Sequence, residues 1–390
     1  MSAAGLWVVL PAGQQRGGAW LDDTLRARSE EAGLLWRAPD AGRFPRQRVE
    51  RFRGDDAHAQ VHEAFARRGW TDGLPIIPPT VGRVEAMVAA GDRVATDVIA
   101  ELAPLNGVAT VEKVAACAVM AGCDPVHFPI VLATVAAIAD PAFNLRGVQT
   151  TDENVAPLII VSGPAVAACG LHAGIGLLGP GFRANATIGR ALRLVMHNLG
   201  GGWPGAVSFA GAGQPGRYTL CAAEDDDALP PSWPPLRMEL GFERADSVVV
   251  VTRAETAINV TGHLPEIASV MSSAASLFTF VHRGIPAVLL APAVAAAAAE
   301  RGLSRRDVAS TLAATARLPR AMWKSSWLAS AARAFAEPPG EEDLAVLASA
   351  EDVVLFVAGG RIPIPQNVYF PSWGHPPCRV VRRVHLPHPP

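Results

Sequence analysis

"APLIIVSGP", residues 156–164, is unbroken apolar chain from Leu158 to Val161, and Ile159, Ile160 and Val161 are β-branched. Gly163-Pro164 closes it. A short apolar run bounded by turn residues predicts a strand buried on both faces. Three later stretches have the same character: "DSVVVVTR" (246–253), "IPAVLLAP" (285–292) and "AEDVVLFVAGG" (350–360). "GRYTLCAAE" (216–224) predicts a further strand. Helical patterns alternate with these strands. "ATVEKVAACAVMAGC" (109–123) has Thr110 as its N-cap and Gly122 near its end, and "FPIVLATVAAIAD" (128–140) and "ATIGRALRLVMHNLGG" (186–201) follow. "LPEIASVMSSAASLFTFVHRG" (264–284) predicts one helix, and "SRRDVASTLAATAR" (304–317) a helix capped by Ser304. The alternation indicates an α/β fold: two layered α/β lobes with mostly parallel or mixed sheets and a cleft between them.

Outward from this core the chain divides. Residues 1–60 form an N-terminal appendage and linker, in which "LWVVLPA" (6–12) predicts a strand, "WLDDTLRARSEEAGLLW" (20–36) a helix and "RFPRQRVERFRGDD" (43–56) a linker. Residues 61–240 make the first lobe, beginning with a helix over 55–70 that ends at Gly69. The loop "DDDALPPSWPPL" (225–236) precedes the boundary. Residues 241–390 make the second lobe, with a proline- and aromatic-rich tail that folds back over the body as a cover.

A net charge of −2 leaves no basic footprint for nucleic acid. No charge-free apolar run reaches the ~18 residues of a membrane span, and the N-terminus has no basic stretch before its apolar patch. Cys117, Cys123, Cys169, Cys221 and Cys378 are odd in number, scattered, and without a CxxC. That pattern suits reduced thiols in a cytoplasmic protein. Cys117 and Cys123 are too far apart on one helix to bridge.

The stretch "GPGFRANATIGRALRLVMHN" (179–198) sends a glycine-rich turn into a helix. Free N–H groups and partial positive charge at a helix start attract anions, and Arg183 adds a bidentate donor. Asn185 is read as the cap and Thr187 as a further hydroxyl, with a plain turn and cap as the competing reading. "WTDGLPIIPPT" (70–80) offers Asp72 on a proline-stiffened loop as a base or orienting group. Lys113 and Cys117 share a helix face, where a lysine lowers a thiol's pKa, but ordinary buried cysteines on an amphipathic helix are the favoured reading for Cys117 and Cys123. Cys221 alternates with Thr219 along a strand as a candidate nucleophile, and Glu224 stands where that strand ends as a candidate acid/base. His263, in "INVTGHLPE" (258–266), is a loop histidine suited to acid/base work. Gly359 and Gly360 let a ligand approach the backbone. Segments 71–80, 179–190, 221–226, 259–264 and 357–374 are expected to converge on one cleft.

Several of these stretches carry a resemblance. "TDGLPIIPPT", "ATVEKVAACAVMAGCDPVHFPIVLA", "LGPGFRANATIGRALRLVMHNLGG", "PGRYTLCAAE" and "DVVLFVAGG…PSWG" occur in the order seen in the large domain of the UGSC-type (seleno)protein group and its stand-alone relatives. The likeness runs from about residue 60 to the C-terminus. It implies a redox or sulfur-related context. The chain departs from that pattern in lacking any CGSC-like stretch, in Cys-Ala-Ala-Glu-Asp-Asp at 221–226 and in Arg-Ile-Pro-Ile-Pro-Gln at 361–366.

The leading expectation is an enzyme, a hydrolase or lyase, acting on a small carboxylate- or phosphate-bearing metabolite. Asp72, Glu224, His263 and Cys221 are its catalytic candidates. Arg183, Asn185, Thr187, Lys113, Gly359 and Gly360 are its binding candidates. No nicotinamide or flavin fingerprint and no HxH or HExxH spacing occurs, so neither cofactor nor metal is expected. The alternatives are a thiol-dependent reductase or sulfur-transfer component and a non-catalytic ligand-binding subunit. Homo-oligomerisation stays open.

Overall fold

The computed structural model describes residues 6–9, 36–37, 49–53, 56–331 and 340–386. The helix expected over 20–36 lies almost wholly outside them. In chain order the elements begin with β1 (Leu6–Val9), β2 (Trp36–Arg37), β3 (Val49–Phe52), α1 (Ala57–Arg67), α2 (Val81–Ala89), β4 (Val98–Leu102), β5 (Gly107–Thr110), α3 (Val111–Ala121), α4 (Phe128–Ile138) and α5 (Leu145–Thr150). Then come β6 (Ala156–Ser162), α6 (Ala165–Ala168), α7 (Arg183–Asn198), β7 (Cys221–Ala223), α8 (Leu236–Glu239), β8 (Val248–Ala254), β9 (Ile258–Thr261), α9 (Leu264–Met271), α10 (Leu277–His282) and β10 (Ala287–Leu290). The last are α11 (Pro292–Glu300), α12 (Arg305–Thr315), β11 (Arg317–Leu318), α13 (Arg320–Ser325), α14 (Trp327–Ala331), β12 (Leu344–Ala345), β13 (Val354–Val357), β14 (Gln366–Phe370) and β15 (Val380–Arg383).

The fold is α/β, built on two four-stranded mixed sheets. One runs β15-β8-β6-β7 and the other β13-β10-β14-β9. Each contains one parallel pair, β6 with β7 and β10 with β13; the remaining pairings are antiparallel. Side chains alternate across a strand, and β6 shows the consequence. Leu158 and Ile160 join an apolar core with Val250, Leu289, Phe356 and Phe370, which belong to strands of both sheets. Ile159 and Val161 face the other way, into a core with α3, α4 and α7. On the second sheet Val288, Leu290 and Leu355 turn outward to α9, α11 and α12. The layers are therefore helix, sheet, sheet, helix. Because β6 is buried on both faces, alternation is invisible in its sequence.

This stacking bears on the expected cleft. The space between the sheets is filled with apolar side chains, and a cleft between two lobes is not found there. The β6–β8 ladder, Ala156–Ser162 against Val248–Ala254, spans residue 240. The C-terminal tail is no cover either. Its β14 lies between β10 and β9, and β15 edges the other sheet against β8. Part of the 43–56 linker is β3, whose Glu50 is wholly buried against Arg68 at 2.5 Å. The helix expected over 264–284 breaks at Ser272-Ser273 and bends by 65°. There the two hydroxyls donate to the carbonyls of Ala268 and Val270, a recognised cause of kinks. Among the described residues no single helix is long and apolar enough to cross a membrane.

Candidate functional site

Helix α7 organises the candidate site. Its apolar face carries Ile188, Leu192 and Val195 into the core, each contributing roughly 1.5–3 kcal/mol of burial. Its other face carries Arg190, Arg193 and His197, at i, i+3 and i+7. The end of the helix is tied to the turn after α1. His197 Nε2 bonds Gly69 O at 2.8 Å, Trp203 Nε1 bonds the same carbonyl at 2.9 Å, and Asn198 Nδ2 bonds Trp70 O at 3.0 Å. Over this face folds the loop from 199 to 218. The result is a cavity of about 700 Å³ walled by Thr71, Asp72, Arg193, His197, Arg217 and the 202–215 loop. That is an ordinary size for a small-molecule site.

The wall is cationic. Arg193 Nε donates to Arg217 O at 2.6 Å, and Arg217 Nη2 to Ser208 Oγ at 2.8 Å. Among the described residues neither arginine has a carboxylate within 4.0 Å. Burial, and then the neighbouring Arg217, lower the Arg193 pKa to about 9. Burial also lowers Arg217. Asp72 gives little relief, because Arg190 grips both its oxygens at 2.7 and 2.9 Å and its side chain is only 4% exposed. Burial takes His197 down to about 4, so its ring is neutral near pH 7. A carbonyl can only accept, so Nε2 carries the proton and Nδ1 is the basic nitrogen.

Of the residues picked out in the sequence, Asp72 alone lines this cavity. Arg183 lies elsewhere, 61% exposed, with Nη2 on Asp124 at 2.9 Å and Nε on Gly122 O at 3.1 Å. Asn185 is not the cap. The helix begins at Arg183 with Phe182 in the cap position. Asn185 is buried inside the first turn, where its amide bonds the backbone of His172 in both directions and reaches Cys221 O. Thr187 Oγ1 bonds back to Arg183 O. Lys113 Nζ donates to Val108 O. It does not activate Cys117, whose thiol burial pushes up to about 12.

Glu224 is 1% exposed and serves the layers. It accepts Ser162 Oγ at 2.7 Å, Leu236 N–H at 2.8 Å and Arg305 Nη2 at 2.9 Å. His263 caps α9 from the surface, its N–H donating to Glu266 Oε2 at 2.8 Å. Cys221 is buried in β7 with its pKa raised by that burial. Gly359 and Gly360 do admit a close approach, but of the chain's own backbone. Gly359 N–H bonds Ala173 O, and a Cβ on Gly360 would sit 2.4 Å from Ile175 Cγ1. Contacts link several of the segments expected to converge, through Asp72–Arg190 and Asp225 N–Val357 O. The pocket beside Asn185 and Cys221 is about 30 Å³, room for a water or two.

All five cysteines are free and buried, and burial raises each thiol's pKa. The reactive form is the thiolate, so the thiol-dependent reading gains nothing here. Arg193, His197 and Arg217 were missed as site residues. Their signal was the i, i+3, i+7 spacing of α7 beside the glycine-rich run "LGGGWPGAVSFAGAGQPGR" (199–217). No family model matches the chain, and no curated protein or solved structure matches it.

Proposed function

We propose that the protein is an enzyme of hydrolase or lyase type acting on a small anionic metabolite, bound in the cavity between α7 and the 199–218 loop. The observation that carries this reading is a pair of guanidinium groups on one cavity wall without carboxylate partners among the described residues. Arg193 and Arg217 hold the anion. His197 Nδ1, unprotonated at neutral pH, is the proton acceptor of the site, a weak one because burial lowers its pKa to about 4. Asp72 positions Arg190 and the 71–75 loop beside them. Three of the stretches that resemble the UGSC-type group line this cavity: "TDGLPIIPPT" with Thr71 and Asp72, "LGPGFRANATIGRALRLVMHNLGG" with Arg193 and His197, and "PGRYTLCAAE" with Arg217 and Tyr218.

A thermal-shift panel of anionic metabolites tests it. Stabilising ligands should lose about 2–5 kcal/mol of binding in Arg193→Gln and Arg217→Gln. They should bind normally to Arg183→Ala, whose stability changes by about 0–1 kcal/mol. His197→Gln should keep binding and lose turnover. Ligand stabilisation that survives both cavity substitutions would sink the reading. Binding without turnover in every variant and in the wild type would instead indicate a non-catalytic binding subunit.

A further inference from the structure

The 210–214 loop lines the same cavity, and its backbone offers free donors. Gly211 N–H bonds Asp152 O at 3.2 Å, but the next three N–H groups, of Ala212, Gly213 and Gln214, donate to no group among the described residues. Gly213 has φ +66, a left-handed value that glycine adopts without strain. The loop is held in place from below. Gln214 Nε2 donates to Asn154 O at 3.0 Å and Ala254 O at 3.1 Å, while its Oε1 accepts Gly216 N–H at 3.1 Å. Consecutive backbone N–H groups around a left-handed residue make a concavity that suits anions.

Charge count narrows the anion. Asp72 is neutralised by Arg190, and His197 is uncharged, so Arg193 and Arg217 leave about two positive charges on the wall. A single carboxylate would cancel one of them. A phosphomonoester carries close to two charges at neutral pH on three oxygens. Each guanidinium can take two of those oxygens and the loop N–H groups can take the third.

We infer that the cavity binds a phosphoryl group, cradled by the 212–214 backbone and clamped by Arg193 and Arg217, so that the substrate class is a phosphorylated small metabolite. This rests on the anion-binding reading of the same cavity.

The test uses isothermal titration of the full chain with methyl phosphate, sulfate, malonate and acetate. Methyl phosphate and sulfate should bind, and malonate and acetate should not. Between pH 5 and 7 methyl phosphate should bind more tightly as it gains its second charge, near pH 6, while sulfate should hold steady. Arg217→Gln should weaken methyl phosphate on the order of thirtyfold. Ala212→Pro deletes one cradle N–H in an exposed loop, and should weaken it while the ligand-free melting temperature holds. Malonate or acetate binding through Arg217, with methyl phosphate silent, would overturn the phosphoryl assignment and leave the anion-binding reading intact. No binding by any of the four overturns the assignment, and the metabolite panel then judges the wider reading separately. Should Ala212→Pro fail to fold, the order of the four anions and the Arg217→Gln result decide the matter.

Discussion

Glu112 sits in the first turn of α3 with its side chain fully buried, and neither carboxylate oxygen has a hydrogen-bond partner among the described residues. Burial lifts its pKa to about 8, against the pull of Lys113. The folded protein thus holds a proton between pH 4.5 and 8 that the unfolded chain releases. Stability contributed by that proton is present below pH 4.5 and falls as pH rises through 8. Glu112→Gln should flatten the pH dependence of the urea midpoint from 5 to 8 and raise the midpoint at pH 8. An unchanged slope would show that Glu112 is ionised and paired. His197 has the opposite sign. Its folded pKa of about 4 lies below the ordinary 6.5, so the unfolded chain binds the extra proton and stability is lost as pH falls from 6.5 to 4. His197→Gln should remove that loss, read from the same titration at acid pH.

At the scale of an element, α7 depends on Gly189. A Cβ there would stand 2.3 Å from Thr219 Oγ1 and 2.8 Å from Leu220 N, so glycine lets the helix lie against the chain entering β7. Gly189→Ala should destabilise by roughly 1–3 kcal/mol and disturb Arg217, two residues before Thr219. Melting curves check this; a variant that melts like the wild type would contradict it. The helix itself was legible in its amphipathic run, and so was the capping of α3 by Thr110, whose hydroxyl accepts Lys113 N–H, with Gly122 at φ +92 closing it. The start of α7 was misread because Asn185 resembles a cap, yet its amide is spent on His172 and Cys221. β14 was unreadable as a central strand, since Gln366 and Asn367 interrupt its apolar pattern. Asn367 is buried there because its amide bonds Ala291 N–H and the carbonyls of Val260 and Gly262. The face formed by Arg190, Arg193 and His197 is written in the helical spacing, but only the folding of 69–72 and 199–218 over it makes it a cavity.

Across the whole molecule, the two sheets are locked by a buried ion pair as well as by their shared apolar core. Arg305 reaches from α12 to Glu224 beyond β7, and also donates to Pro234 O and to Leu355 O of β13. Breaking such a pair strands a charge, so Arg305→Met should cost about 3–5 kcal/mol. Glu224→Gln, which keeps the hydrogen-bonding shape, should cost less; equal losses would mean that the charge of Glu224 itself matters. Denaturant titration of both variants makes the comparison. The same layering places the polar face of α7 and the glycine-rich loop on the outside of the first sheet, where the cavity opens. The cavity is proposed as the anion site. A crystal structure grown with methyl phosphate tests it most directly. Density is expected within hydrogen-bond reach of Arg193, Arg217 and the 212–214 backbone. Density at Arg183 and the start of α7, with the cavity empty, would contradict it.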